Sequence, residues 1–142
     1  MIENIFYDIG NVLLKFNPNL PLELSVTPID ANILLMEQLS TKYKIFAVTD
    51  ATRELIDFEI KNFDFFNSFQ EVITSEESRF AKNDPGIYRF IVTKFNFAPE
   101  KCLFIDDKKE NILAAKNIGI KTIHYINYDN LIENLINYNI IK

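Results

Sequence analysis

The 142 residues carry 20 acidic and 15 basic side chains, a formal net charge of −5 at pH 7, and 48% of them are hydrophobic. These proportions suit a single globular domain over residues 1–142 and exclude a mainly disordered chain, while an acidic balance with no basic run longer than Lys108-Lys109 excludes sequence-independent nucleic-acid binding. The single Cys102 cannot form an internal disulfide or a multi-cysteine zinc site, no apolar run approaches the ~18 residues of a membrane span, and Glu3 and Asp8 stand where a secretory leader would be basic. A cytoplasmic protein with no membrane partner is expected.

In chain order, short apolar, β-branched or aromatic runs at Asn4 to Ile9, Lys44 to Val48, Gln70 to Thr74, Cys102 to Ile105 and Lys121 to Tyr125 predict five strands. Helical spacing fills the intervals: Ile29 to Thr41, Thr52 to Lys61, Pro85 to Phe95, Glu110 to Ile118 and Asp129 to Tyr138. Asp84-Pro85 reads as an N-cap followed by proline at the first helical position, and Gly119 stands where a helix end favours a left-handed residue. Alternating strands and helices predict an α/β fold with a parallel sheet covered on both faces. Cys102 and His124 read as core and strand-end residues. Phe58, Phe63, Phe65, Phe66 and Phe69 read as packing around a helix end, any exposed remainder being a candidate homo-oligomer contact.

In such sheets ligands bind beyond the carboxyl ends of the strands. The residues there are Asp8 after the first strand, Thr49 and Asp50 after the second, Lys82 after the third, and Asp106 and Asp107 after the fourth. If the first, second and fourth strands are neighbours, these groups converge. Clustered carboxylates stay ionised only with a cation among them, and oxygen ligands of this kind suit Mg²⁺ with phosphate oxygens completing its shell. A carboxylate there, with a lysine and a threonine to hold a phosphoryl group, is equipped for phosphoryl transfer through an aspartyl-phosphate.

Four stretches in order carry a family resemblance. Phe6-Tyr7-Asp8-Ile9-Gly10-Asn11-Val12-Leu13-Leu14 resembles the first motif of the haloacid dehalogenase (HAD) superfamily, and Ala47-Val48-Thr49-Asp50 the second. Val72 to Glu77, leading to Lys82-Asn83-Asp84-Pro85, is similar to the third. Phe104-Ile105-Asp106-Asp107, with Glu110-Asn111 following, is similar to the fourth.

The resemblance implies a Rossmann-like three-layer α/β/α sandwich with sheet order 5-4-1-2-3. It also implies roles: Asp8 as nucleophile and metal ligand, the Gly10 carbonyl, Asp106 and Asp107 at Mg²⁺, Thr49 and Lys82 on the phosphoryl group, and Asn111 supporting the metal ligands. Asp50 is a candidate substrate contact and turn former. The expected activity is that of a Mg²⁺-dependent phosphohydrolase acting on a phosphorylated small molecule or macromolecule.

Two departures qualify that expectation. The family's second Asp, the general acid two residues after the nucleophile, is here Gly10, so hydrolysis is expected to be slow or confined to acyl and aryl phosphates. The interval in which relatives build a cap domain is reduced to a loop over residues 16–28, containing Pro18, Pro21 and Pro28, so the cap is absent and the site open. The alternative reading is a catalytically weakened module that binds a phosphorylated ligand or a protein partner. True dehalogenases lack the resemblance at Asp106-Asp107, and a phospho-receiver domain would place its acidic pair after the first strand.

Overall fold

The computed structural model describes residues 1–142. Five parallel strands form the main sheet: β1 (Asn4–Tyr7), β4 (Lys44–Thr49), β5 (Val72–Thr74), β6 (Cys102–Asp106) and β7 (Lys121–His124). Their spatial order is β7-β6-β1-β4-β5. Counting only these five strands along the chain, that order is 5-4-1-2-3, as the resemblance implies. β1 is central, with Asn4 to Tyr7 in register with Lys44 to Ala47 on one side and Cys102 to Ile105 on the other.

The central strands are buried on both faces, and the two-residue side-chain period divides them between two cores. Ile5, Tyr7, Ile45, Ala47, Leu103 and Ile105 pack with Leu35, Met36 and Leu39 of α2 (Asp30–Leu39), Ile56 of α3 (Arg53–Asn62) and Leu131 and Leu135 of α7 (Tyr128–Asn137). On the other face Phe6, Phe46, Val48 and Phe104 pack with Ile87, Tyr88 and Ile91 of α5 (Pro85–Phe95) and with Ile112, Ala114 and Ala115 of α6 (Lys109–Asn117). Cys102 is fully buried in this second core, where burial pushes its thiol up to about 11. Phe65, Phe66 and Phe69, in and beside a 3₁₀ turn over Asp64–Ser68, pack on the first face. No helix is long and apolar enough to cross a membrane.

Local signals explain the element ends. Asp84 Oδ1 accepts from the Gly86 amide at 2.8 Å ahead of Pro85, Asn127 caps α7 by accepting from Asn130, and Gly119 turns the chain after α6 at φ +91°. β1 ends two residues sooner than its apolar run, because the Ile9 carbonyl accepts the amides of Val12, Leu13 and Leu14 and pulls the chain into a turn.

The interval expected to be a loop has structure of its own. β2 (Leu14–Phe16) and β3 (Val26–Pro28) form an antiparallel ribbon, closed by a single helical turn, α1 (Leu22–Ser25). Proline is tolerated at this ribbon because both strands are edges. Phe16, Leu20, Leu22 and Leu24 are exposed along it.

Candidate active site

Adjacency of β4, β1 and β6 brings the carboxyl ends of three strands together. Asp8 follows β1, Thr49 closes β4 and Asp106 closes β6, all at least nine-tenths buried. One oxygen from each of Asp8, Asp106 and Asp107 lies within 4.8 Å of the others.

Lys82 reaches this cluster from the other side. Its ammonium is 2.6 Å from Asp8 Oδ1 and 2.7 Å from Asp106 Oδ2, and the residue is 3% exposed. The backbone explains how a loop lysine becomes buried. The turn α4 (Ser75–Ser78) follows β5 under a Thr74 cap, Arg79 reverses the chain at φ +65°, and the Lys82 amide donates to Asp50 Oδ1 at 3.0 Å while its carbonyl accepts from Tyr88 Oη at 2.7 Å. Asp50 Oδ1 also accepts from Ser75 Oγ. Asp50 therefore anchors the segment that delivers Lys82.

The remaining contacts orient the carboxylates. Asp8 Oδ1 accepts from the Ile9 amide at 2.9 Å, Asp106 Oδ1 from the Lys108 amide at 2.9 Å, and Asp106 Oδ2 from Asn111 Nδ2 at 3.2 Å. Asn11, left-handed at φ +63°, donates through Nδ2 to Asp107 Oδ2 at 3.3 Å. His124 Nε2 lies 2.9 Å from the Asp107 carbonyl at the end of β7. Thr49 Oγ1 accepts from the Ala51 amide at 3.0 Å, which leaves its hydroxyl proton free to donate.

Electrostatics follow from this crowding. Burial, opposed by the Lys82 ammonium and reinforced by Asp106 and by a hydrogen bond shared with Asp107, pushes the Asp8 carboxyl well above the ordinary carboxylate range. Burial works against ionised Asp107 as well, but its hydrogen bonds with Asp8, Asn11 and Asp106 hold it below that range. For Lys82, burial disfavours the charge and the two carboxylates outweigh it, so the ammonium is held above the ordinary lysine value. Three carboxylates against one paired ammonium leave the cluster negative. A hard divalent cation is the neutralising group that such oxygen donors fit.

These groups line a cavity of about 300 Å³ that also includes Gly10, Asp50, Lys108 and Asn111. Every residue expected at the site thus borders the cavity or, for Asp106, supports it. Gly10 is exposed, its φ is outside the left-handed region, and a Cβ there would meet nothing within 4 Å. The backbone does not require glycine at this position.

Sequence reasoning missed Glu59, Asn11, Ser75 and Tyr88. Glu59 had a legible signal: it stands three residues after Ile56 and four before Phe63, on the apolar stripe of α3, where a carboxylate is out of place. It is 5% exposed, lines the cavity, and its Oε2 has no hydrogen-bond partner. The contacts of Asn11, Ser75 and Tyr88 depend on turns that have no periodic signature.

Comparisons with known proteins identify a family and a fold. Residues 8–125 match the family model of the haloacid dehalogenase-like hydrolases. Among curated proteins, the chain is 28% identical over 78 residues to the phosphorylated carbohydrates phosphatase of Thermotoga maritima, covering 55% of this chain and 36% of the relative. It is 25% identical over 80 residues to pyrophosphatase PpaX of Bacillus velezensis, covering 56% of this chain and 37% of the relative. The matched region thus spans little more than a third of these relatives. A HAD family enzyme of Bacteroides thetaiotaomicron, solved with magnesium and inorganic phosphate, superposes with a TM-score of 0.80 at 16% identity, covering 92% of this chain and 99% of that one. A protein of Porphyromonas gingivalis described as a predicted HAD-like family hydrolase gives a TM-score of 0.80 at 17% identity with both chains fully covered. At these identities the structural likeness shows the fold.

Proposed function

The chain belongs to the haloacid dehalogenase-like hydrolases, and from that premise we propose that it is a Mg²⁺-dependent phosphohydrolase working through an aspartyl-phosphate on Asp8. The observation that carries this reading is the bridge of Lys82 between Asp8 and Asp106, with an Asp107 oxygen inside the same 4.8 Å cluster. It supplies a fixed nucleophile, a buried cation for the phosphoryl group and a set of oxygen donors for a metal.

Asp8, Asp107 and the Gly10 carbonyl would hold Mg²⁺, with Asp106 and Asn111 orienting that set. When bound, the cation offsets the charge of the carboxylates and phosphoryl oxygens and acts as a Lewis acid. The chain's own groups do the rest. The Asp8 carboxylate forms a bond to phosphorus as the bond to the leaving oxygen breaks, while the Lys82 ammonium and Thr49 hydroxyl hold the phosphoryl oxygens. Water then attacks phosphorus, releasing inorganic phosphate and regenerating the Asp8 carboxylate. With Gly10 in place of a carboxyl group, the leaving oxygen takes its proton from solvent. Turnover is accordingly slow for alkoxide leaving groups and faster for acyl and aryl phosphates, which leave without protonation.

The side chain missing at Gly10 also favours a second reading, a weakened module that binds a phosphorylated ligand without efficient turnover. Assays with p-nitrophenyl phosphate and acetyl phosphate, with and without Mg²⁺, separate the two: metal-dependent turnover supports the enzyme, and metal-dependent phosphate binding with no turnover supports the module.

A further inference from the structure

The cavity beside Asp8 holds a carboxyl group that the proposed phosphoryl chemistry does not use. Leu55 and Glu59 lie one turn apart on α3, and both line the cavity together with Phe16 and Val26 of the ribbon. Glu59 is 95% removed from solvent by its 5% exposure, its Oε2 has no partner, and neither carboxyl oxygen receives a hydrogen bond from any side chain or amide of the protein. Its backbone is engaged in the ordinary way of a helix end, the carbonyl accepting from the Phe63 amide.

An acceptor left unsatisfied inside a protein is destabilising and calls for a partner. Here the cavity can provide one. The nearby ionisable groups lining the same cavity are Asp8, Asp50, Lys82, Asp107 and Lys108. Lys82 is committed to Asp8 and Asp106, and no ion pair joins Lys108 to Glu59.

We propose that Glu59 determines specificity for the organic part of the substrate, accepting a hydrogen bond from a hydroxyl or ammonium group whose carbon stem lies against Phe16, Val26 and Leu55. The proposal rests on the phosphohydrolase reading and adds a substrate class to it: small phosphomonoesters whose leaving group carries a hydrogen-bond donor. Burial without a partner, which pushes this carboxyl up to about 7, is consistent with a group that awaits a donor. The ribbon and α3 supply the apolar walls that a separate cap would otherwise provide.

The test is competition against p-nitrophenyl phosphate turnover in the presence of Mg²⁺. The competitors are propyl phosphate, glycerol 3-phosphate and phosphoethanolamine, assayed on wild type, Glu59→Gln and Glu59→Leu. In wild type, at least one donor-bearing ester is expected to compete about tenfold better than propyl phosphate, and Glu59→Leu should bring that ratio to about one. Glu59→Gln keeps the carbonyl acceptor but loses the charge, so it should retain a preference for glycerol 3-phosphate and lose one for phosphoethanolamine. Circular dichroism of both variants confirms that they fold. Turnover with a ratio that is near one in wild type, or that Glu59→Leu leaves intact, overturns the role of Glu59 alone. No turnover of p-nitrophenyl phosphate by wild type overturns the phosphohydrolase reading, and this inference with it.

Discussion

Lys82 Nζ sits 2.6 Å from Asp8 Oδ1 and 2.7 Å from Asp106 Oδ2, joining carboxylates from the ends of two adjacent strands through one buried ammonium. Removing a partner from a buried ion pair strands the remaining charge, at a cost of about 3 to 5 kcal/mol. Lys82→Met is therefore expected to lower stability by about that amount near neutral pH, as measured by urea unfolding. Asp8→Asn keeps the Asp106 pairing and should cost less. Equal losses in the two variants would show that Lys82 does not hold the cluster together.

A divalent cation among the carboxylates should bind the folded chain in preference to the unfolded one. At a Mg²⁺ concentration about 100 times the dissociation constant, linkage raises stability by about 2.7 kcal/mol. Thermal unfolding should therefore shift upward with added Mg²⁺ in wild type, and much less in Asp107→Ala. An equal shift in both would place the cation elsewhere.

Gly10→Asp restores a carboxyl group where a Cβ meets no neighbour within 4 Å. If proton donation limits the reaction, turnover of alkyl phosphates should rise by about 10²-fold or more, the usual range for general acid catalysis. Acetyl phosphate, whose leaving group needs no proton, should respond far less. Equal acceleration of both substrates would show that a missing proton donor at Gly10 is not what limits turnover.

Glu59 makes stability pH-dependent in a definite direction. Burial raises its carboxyl from 4.5 to about 7, so between those values the folded chain binds the proton more tightly than the unfolded chain does. Its contribution to stability is complete below pH 4.5, falls through the interval, and is lost above about pH 7. Glu59→Gln, which carries no charge, should be more stable than wild type by about 1 to 2 kcal/mol at pH 8, with the advantage gone near pH 4.5. A difference independent of pH would exclude a buried titrating carboxyl.

Much of this arrangement was legible in the residues because strands and helices advertise their periods. Asp8, Thr49 and Asp106 could be placed at strand ends from the apolar runs alone, and the N-cap Asp84 ahead of Pro85 marked where α5 begins. The ribbon was not legible: Leu14 to Phe16 and Val26 to Pro28 are three residues each, too short to show a period, and the bonds that flank their pairing, Asn17 amide to Ser25 carbonyl and Ile29 amide to Leu13 carbonyl, join residues that no sequence pattern links. Asp50 was recognised as a turn former and substrate contact, but its hold on the Lys82 amide depends on the left-handed reversal at Arg79, for which no sequence signal stood out. Glu59 broke the apolar stripe of α3 in plain view. The cavity that it lines has no signature in the sequence.

Phosphorylation of Asp8 during turnover is the step on which the proposed function stands, and it is measured directly by mass spectrometry of the chain quenched in acid during reaction with acetyl phosphate and Mg²⁺. One added phosphoryl group is expected, mapped to Asp8, absent from Asp8→Asn and dependent on the metal. Metal-dependent turnover by Asp8→Asn at the wild-type rate, with no phosphoryl group on the protein, would contradict it.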